Sequence, residues 1–153
     1  MQVILAPHDI LTIGYREFID KCIETYNELD VMVLNAGINA YIKFSDMKDL
    51  DHFHRIIQTN FFGYLYCTKS DLIVSSPYLL SLRYALPYLK KNKGQFIVLS
   101  SFSGEVGLPY RVAYCASKFA VTGFFESLRI EMNNHDVAIT IICPPSVFIS
   151  LCQ

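Results

Sequence analysis

Runs of apolar residues alternate with longer segments of helical periodicity, and this limits the fold more than any other feature. "DVMVLNAG" (30–37), "GQFIVLSS" (94–101) and "VAITIIC" (137–143) read as strands, each stopped by turn residues or proline. A strand with one wet face alternates apolar and polar side chains, whereas these runs suit burial on both faces. "QVILA" (2–6) reads as a further short strand. Between them, residues 15–29, 50–69 and 111–132 carry apolar side chains at helical spacing. Strands joined through helices of ten or more residues predict an α/β fold, a parallel sheet with helices on both faces. Ligands of such sheets bind beyond the carboxyl ends of the strands. Asn35 and Gly37, Ser100 and Ser101, and Pro144 stand at those ends.

The 153 residues suit one domain, and 52% of them are hydrophobic against 18% charged. Membrane contact or a buried sheet would explain this. The longest apolar runs have strand length, well short of the roughly 20 residues that cross a bilayer, so the buried sheet is favoured. A net charge of −1 with no basic run argues against a nucleic-acid partner. "MQVILAPHDI" shows no signal-peptide pattern. The five cysteines are scattered without CxxC or Cys–His metal spacing, as expected of buried, reduced thiols in an intracellular protein. His52 and His54 point to different helix faces, and Asp46, Asp49 and Asp51 favour the start of the long helix. No metal site is expected.

"AYCASKFAVTGFF" (113–125) puts Tyr114 four residues before Lys118, on one helix face. A free phenol titrates near pKa ~10, too high for a base at neutral pH, and a nearby ammonium favours the phenolate. The pair suits proton exchange with a substrate oxygen, although Tyr and Lys at this spacing are also ordinary helix surface. Ser101 follows an apolar strand 13 positions before Tyr114, joined to the helix by a short loop. It can hydrogen-bond the same oxygen, or simply serve as a turn or capping serine.

These residues resemble the short-chain dehydrogenase/reductase superfamily, and the flavour of "AYCASKFAVTGFFESLRIE" is similar to its hydroxysteroid-dehydrogenase-like branch. "VLNAG" (33–37) resembles the family's turn after the fourth strand, "IIQTNFFG" (56–63) its asparagine-bearing helix, "FIVLSSFSG" (96–104) its serine strand, and "YCASK" (114–118) its Tyr-x-x-x-Lys signature. The matches span residues 2 to 148. The resemblance implies a Rossmann-like three-layer fold and NAD- or NADP-dependent interconversion of an alcohol and a carbonyl on a lipophilic, steroid-like small molecule. Tyr114 would be the general acid/base. Lys118 would assist it and bond the nicotinamide ribose, Ser101 would orient the substrate oxygen, and Asn60 would hold a relay water. Asn35, Ala36, Gly37 and Pro144 would line the cofactor, and Asp9 would meet its adenine end. Asn60 also admits a plainer reading, a buried amide bonded to backbone, and Asp9 a loop or capping residue.

The sequence departs from the family pattern in three places. No Gly-rich turn precedes residue 30, so one incomplete domain (1–153) lacking the first βαβ unit is expected, with "QVILA" docked beside "DVMVL" or poorly ordered. Residues 70–83, "SDLIVSSPYLLSLR", read as an insertion; Pro77 cannot continue a regular helix. The family's homodimer would pair the 50–69 and 111–132 helices, which this insertion endangers. Pro145 and Ile149 stand where the family has glycine and threonine, and the substrate-choosing segments lie beyond Gln153. Two outcomes follow: an NAD(P)-dependent oxidoreductase, or a catalytically silent fragment or interaction remnant without cofactor binding. The sequence as given is expected in the cytoplasm, with endoplasmic-reticulum membrane association only through an amino-terminal anchor outside it.

Overall fold

The computed structural model describes residues 15–68 and 85–145, with side chains from Phe18 onward. The strand expected at 2–6, Asp9, the insertion at 70–83, Ile149 and Cys152 lie outside the described residues. The chain runs α1 (Tyr15–Tyr26), β1 (Val31–Leu34), α2 (Asp51–Ile57), a π turn (Gln58–Phe62), α3 (Gly63–Thr68), α4 (Ala85–Asn92), β2 (Gln95–Leu99), α5 (Val112–Met132) and β3 (Ala138–Ile142), with short 3₁₀ turns between. The strands form one parallel sheet in the order β1-β2-β3. Met32 lies opposite Phe96 and Phe96 opposite Ile139, so these three share a face.

That face carries the core. Phe96, Val98, Val121 and Phe125 are fully buried. Phe125 packs its ring against Phe96 at 6.1 Å and Tyr64 at 6.5 Å, which ties α5 and α3 to the sheet. Each such side chain stabilises the fold by about 1.5–3 kcal/mol. On the other face, β1 leaves Val31 40% and Val33 54% exposed. The two-sided burial expected from the apolar runs is therefore met on one face among the described residues.

Two helix boundaries have local causes. α1 stops at Tyr26 rather than 29 because Asn27 takes the left-handed conformation (φ 57°) and its N–H returns to the Ile23 carbonyl at 2.8 Å. After α4, Lys93 (φ 54°) turns the chain into Gly94. A Cβ on Gly94 would stand 2.4 Å from the Asp30 carbonyl oxygen, so only glycine lets the chain pass there into β2.

The helix expected over 50–69 runs from Asp51 to Thr68. A π turn interrupts it at Gln58–Phe62, with Asn60 at its centre. Such a turn admits one extra residue into the helical path and recurs at functional sites. The apolar pattern runs on through Phe61 and Phe62, so periodicity alone does not show the break.

Candidate active site

The carboxyl ends of β1 and β2 meet the first turns of α5, and the expected residues gather there. Lys118, on the inner face of α5, is only 4% exposed. Its Nζ donates a 2.7 Å hydrogen bond to the Leu99 carbonyl at the end of β2. The same ammonium lies 5.9 Å from the ring centroid of Tyr114 and 5.5 Å from that of Tyr64. Burial disfavours the charged form and lowers the Lys118 pKa from 10.5 to about 8, opposed by the charge of the nearby Cys143 when it ionises. Lysine is seldom buried without a carboxylate partner, and such a group beside polar side chains marks a functional-site candidate.

Asn60 is fully buried and holds the turn after β1. Its Oδ1 accepts from the Ile38 N–H at 2.8 Å, while Nδ2 donates to the Ile38 carbonyl at 2.9 Å and to Ser117 Oγ at 3.0 Å. Ser117 Oγ in turn donates to the Tyr114 carbonyl at 2.7 Å. One amide thus joins the π turn, the loop after β1 and the first turn of α5, and the backbone-bonded reading of Asn60 describes its geometry. A Cβ on Gly37 would lie 3.4 Å from Asn60 Oδ1 and 3.9 Å from Lys118 Nζ, which places that turn beside the ammonium. Asn35 is exposed and Ala36 half-buried in the same turn.

The serine pair divides its work. Ser100 is buried, with Oγ 2.7 Å from Thr122 Oγ1 and donating to the Lys118 carbonyl at 3.3 Å. It welds the end of β2 to α5. Ser101 is half-buried, and its Oγ accepts from the Ser103 N–H at 3.1 Å, capping a 3₁₀ turn. This is the capping role the sequence allowed. A hydroxyl that accepts there still carries a proton to donate. Gly104 permits the weld, since a Cβ there would fall 2.7 Å from Ser100 Oγ and 2.9 Å from the Lys118 carbonyl oxygen. Pro144, just past β3, accepts from the Phe102 N–H at 3.0 Å and draws the third strand end to this turn. Burial raises the pKa of the Cys143 thiol, and a hydrogen bond to Glu105 adds to this.

The sequence did not single out Ile38, Ser117, Tyr64, the Leu99 carbonyl or Arg111. Ser117 offered a signal: a serine inside a helix three residues after Tyr114 is placed to bond back to that turn. Arg111 lies with its guanidinium carbon 6.0 Å from the Tyr114 ring centroid. Among the described residues no group of three His, Cys, Asp or Glu side chains could hold a metal ion, and no helix is long and apolar enough to cross a membrane.

Residues 12–150 match the family model described as short chain dehydrogenase. The chain is 34% identical over 143 residues to 11-beta-hydroxysteroid dehydrogenase-like 3 of Arabidopsis thaliana, covering 93% of this chain and 41% of that protein. It is 33% identical over 138 residues to 11-beta-hydroxysteroid dehydrogenase A of Sesamum indicum, covering 90% and 35%. Among solved structures, ElxO with NADP bound superposes with a TM-score of 0.70 at 30% identity, over 84% of this chain and 47% of that one. An alcohol dehydrogenase of Thermococcus sibiricus complexed with 5-hydroxy-NADP gives 0.67 at 25% identity, over 86% and 48%. The chain spans about two fifths of the length of these curated relatives and about half of these solved chains.

Proposed function

The chain belongs to the short-chain dehydrogenase family, and from that premise we propose that it carries the proton-transfer half of an NAD(P)-dependent oxidoreductase acting on an alcohol or carbonyl. The observation that carries this reading is the buried Lys118 ammonium, 5.9 Å from the Tyr114 ring and without a carboxylate partner among the described residues. Tyr114 exchanges the proton with the substrate oxygen. Lys118 supplies a positive field at the phenol, and Ser101 donates its remaining proton to the same oxygen. Asn60 fixes the loop at Ile38 and, through Ser117, the turn bearing Tyr114. We read it as the holder of this geometry, and its relay-water role remains part of the proposal.

The residues present fit the nicotinamide-ribose end of the cofactor. Lys118 spends one donor on the Leu99 carbonyl and an ammonium has three, while Gly37 keeps the neighbouring turn free of a side chain. Asn35, Ala36, Gly37, Lys118 and Pro144 would hold the group, which supplies or accepts a hydride when bound. A lipophilic, steroid-like substrate is supported by the names of the plant relatives, and a homodimer through the 50–69 and 111–132 helices is part of the same proposal.

Titration of the purified chain with NADH and NADPH, followed by fluorescence, tests the proposal. Saturable binding that weakens at least about tenfold in Lys118→Met supports it. A folded chain that binds neither would favour the silent-fragment reading.

A further inference from the structure

Arg111 is the residue before α5, three positions ahead of Tyr114 and so one helical turn away. Its guanidinium carbon stands 4.6 Å from the Tyr41 ring centroid and 6.0 Å from that of Tyr114. Tyr41 is fixed in turn. It stacks on Tyr110 at 6.2 Å with 26° between the rings, and the Ile42 N–H donates to the Tyr110 carbonyl at 2.9 Å. Tyr110 adopts φ 64°, a region that bulky residues rarely occupy. A backbone of this kind persists where surrounding contacts hold it, and such positions cluster at ligand sites.

A guanidinium is charged at every working pH. Among the described residues no carboxylate pairs with Arg111, and its Nε is closed off from water without a hydrogen-bond partner. Two aromatic faces attract a cation, yet they accept none of its N–H bonds well. Lys118 lies near the same Tyr114 ring, so two cations stand at nearly equal distances from its centroid, 6.0 and 5.9 Å. The site is therefore short of negative charge beside its reacting group.

We propose that Arg111 is a specificity-determining residue, selecting alcohol or carbonyl substrates that carry a carboxylate or similar anion within a few bonds of the reacting carbon. The inference rests on the oxidoreductase reading above for the identity of the reacting group. The planar guanidinium matches a carboxylate in shape and charge. Arg111 is half-buried and its terminal nitrogens have no partner among the described residues, so a carboxylate that reaches them gains a charge-assisted pair that a neutral substrate cannot make. Tyr41 and Tyr110 would cover the apolar body of such a molecule, so an amphiphilic substrate satisfies both the aromatic surround and the charge.

Phenylglyoxylate, a ketone with an adjacent carboxylate, and its methyl ester make a matched probe pair. Calorimetric titration without cofactor should show the acid binding wild-type protein at least about tenfold tighter than the ester. R111Q should bring the two together, and R111K should retain part of the preference, with circular dichroism checking the fold of each. Equal binding of acid and ester to the wild type would overturn the proposal, as would absence of acid binding or a preference that survives in a folded R111Q. The comparison needs no hydride transfer. A chain that fails to bind NADPH but prefers the acid refutes the oxidoreductase reading alone.

Discussion

Lys118 Nζ reaches across the end of the sheet to the Leu99 carbonyl at 2.7 Å while standing 5.9 Å from the Tyr114 ring. The ammonium is thus anchored by the strand and aimed at the phenol by the helix. Its burial is a cost to the fold, and a buried lysine beside polar groups marks a functional-site candidate.

The first prediction concerns pH. The folded Lys118 pKa, about 8, lies below its ordinary 10.5. The unfolded chain therefore binds more protons between those values, and stability rises with pH across that window. Below pH 8 the destabilisation is fully present, and above 10.5 it is gone. Denaturant melts of the wild type should gain roughly 3 kcal/mol relative to Lys118→Met from pH 8 to 10.5. Parallel profiles for the two proteins would show that the lysine is not buried as described.

Asn60→Leu should destabilise strongly. It strips partners from the Ile38 N–H, the Ile38 carbonyl and Ser117 Oγ. An unpaired buried polar group costs about 1–3 kcal/mol. The loop at 35–38 should also lose amide-exchange protection in the folded variant. Protection unchanged from wild type would mean that something else holds the loop.

Gly104→Ala should cost about 1–3 kcal/mol, because the added methyl meets Ser100 Oγ, Thr122 Oγ1 and the Lys118 carbonyl oxygen at 2.7 to 2.9 Å. Gly107→Ala is the control, since no atom lies within 4 Å of that Cβ. Thermal melts of the two variants should differ clearly. Coincident melts would contradict the close approach of β2 and α5.

Ser101→Ala should remove a turn cap worth about 1 kcal/mol and, in any form of the protein that turns over, lower kcat by a larger factor than this loss of stability explains. Cysteine at 101 offers a weaker donor of similar size and should recover little. Unchanged kcat in Ser101→Ala would leave the serine with its capping role alone.

Much of this arrangement was legible because the strand ends and the Tyr-x-x-x-Lys spacing are local features. The 111–132 helix is observed as Val112–Met132, and the strands expected in 30–37, 94–101 and 137–143 are observed inside those runs as Val31–Leu34, Gln95–Leu99 and Ala138–Ile142. The π turn was not legible, since Phe61 and Phe62 continue the apolar rhythm over the extra residue. Nor were the Asn60 contacts: Ile38 and Ser117 lie 22 and 57 residues away, and only the folded chain brings them together. Asn27 was a missed local signal, because asparagine readily takes the left-handed conformation that ends a helix. Arg111 escaped for a different reason. Its partner Tyr41 sits on a loop whose path no periodicity describes.

The most direct test of the central claim is a fluorescence titration of NADPH and NADH against the wild type, Tyr114→Phe and Lys118→Met, each verified as folded. The account predicts saturable binding to the wild type, near-normal binding to Tyr114→Phe, and at least about tenfold weaker binding to Lys118→Met. A folded wild-type chain that binds neither nucleotide, or a Lys118→Met variant that binds as well as the wild type, would contradict it.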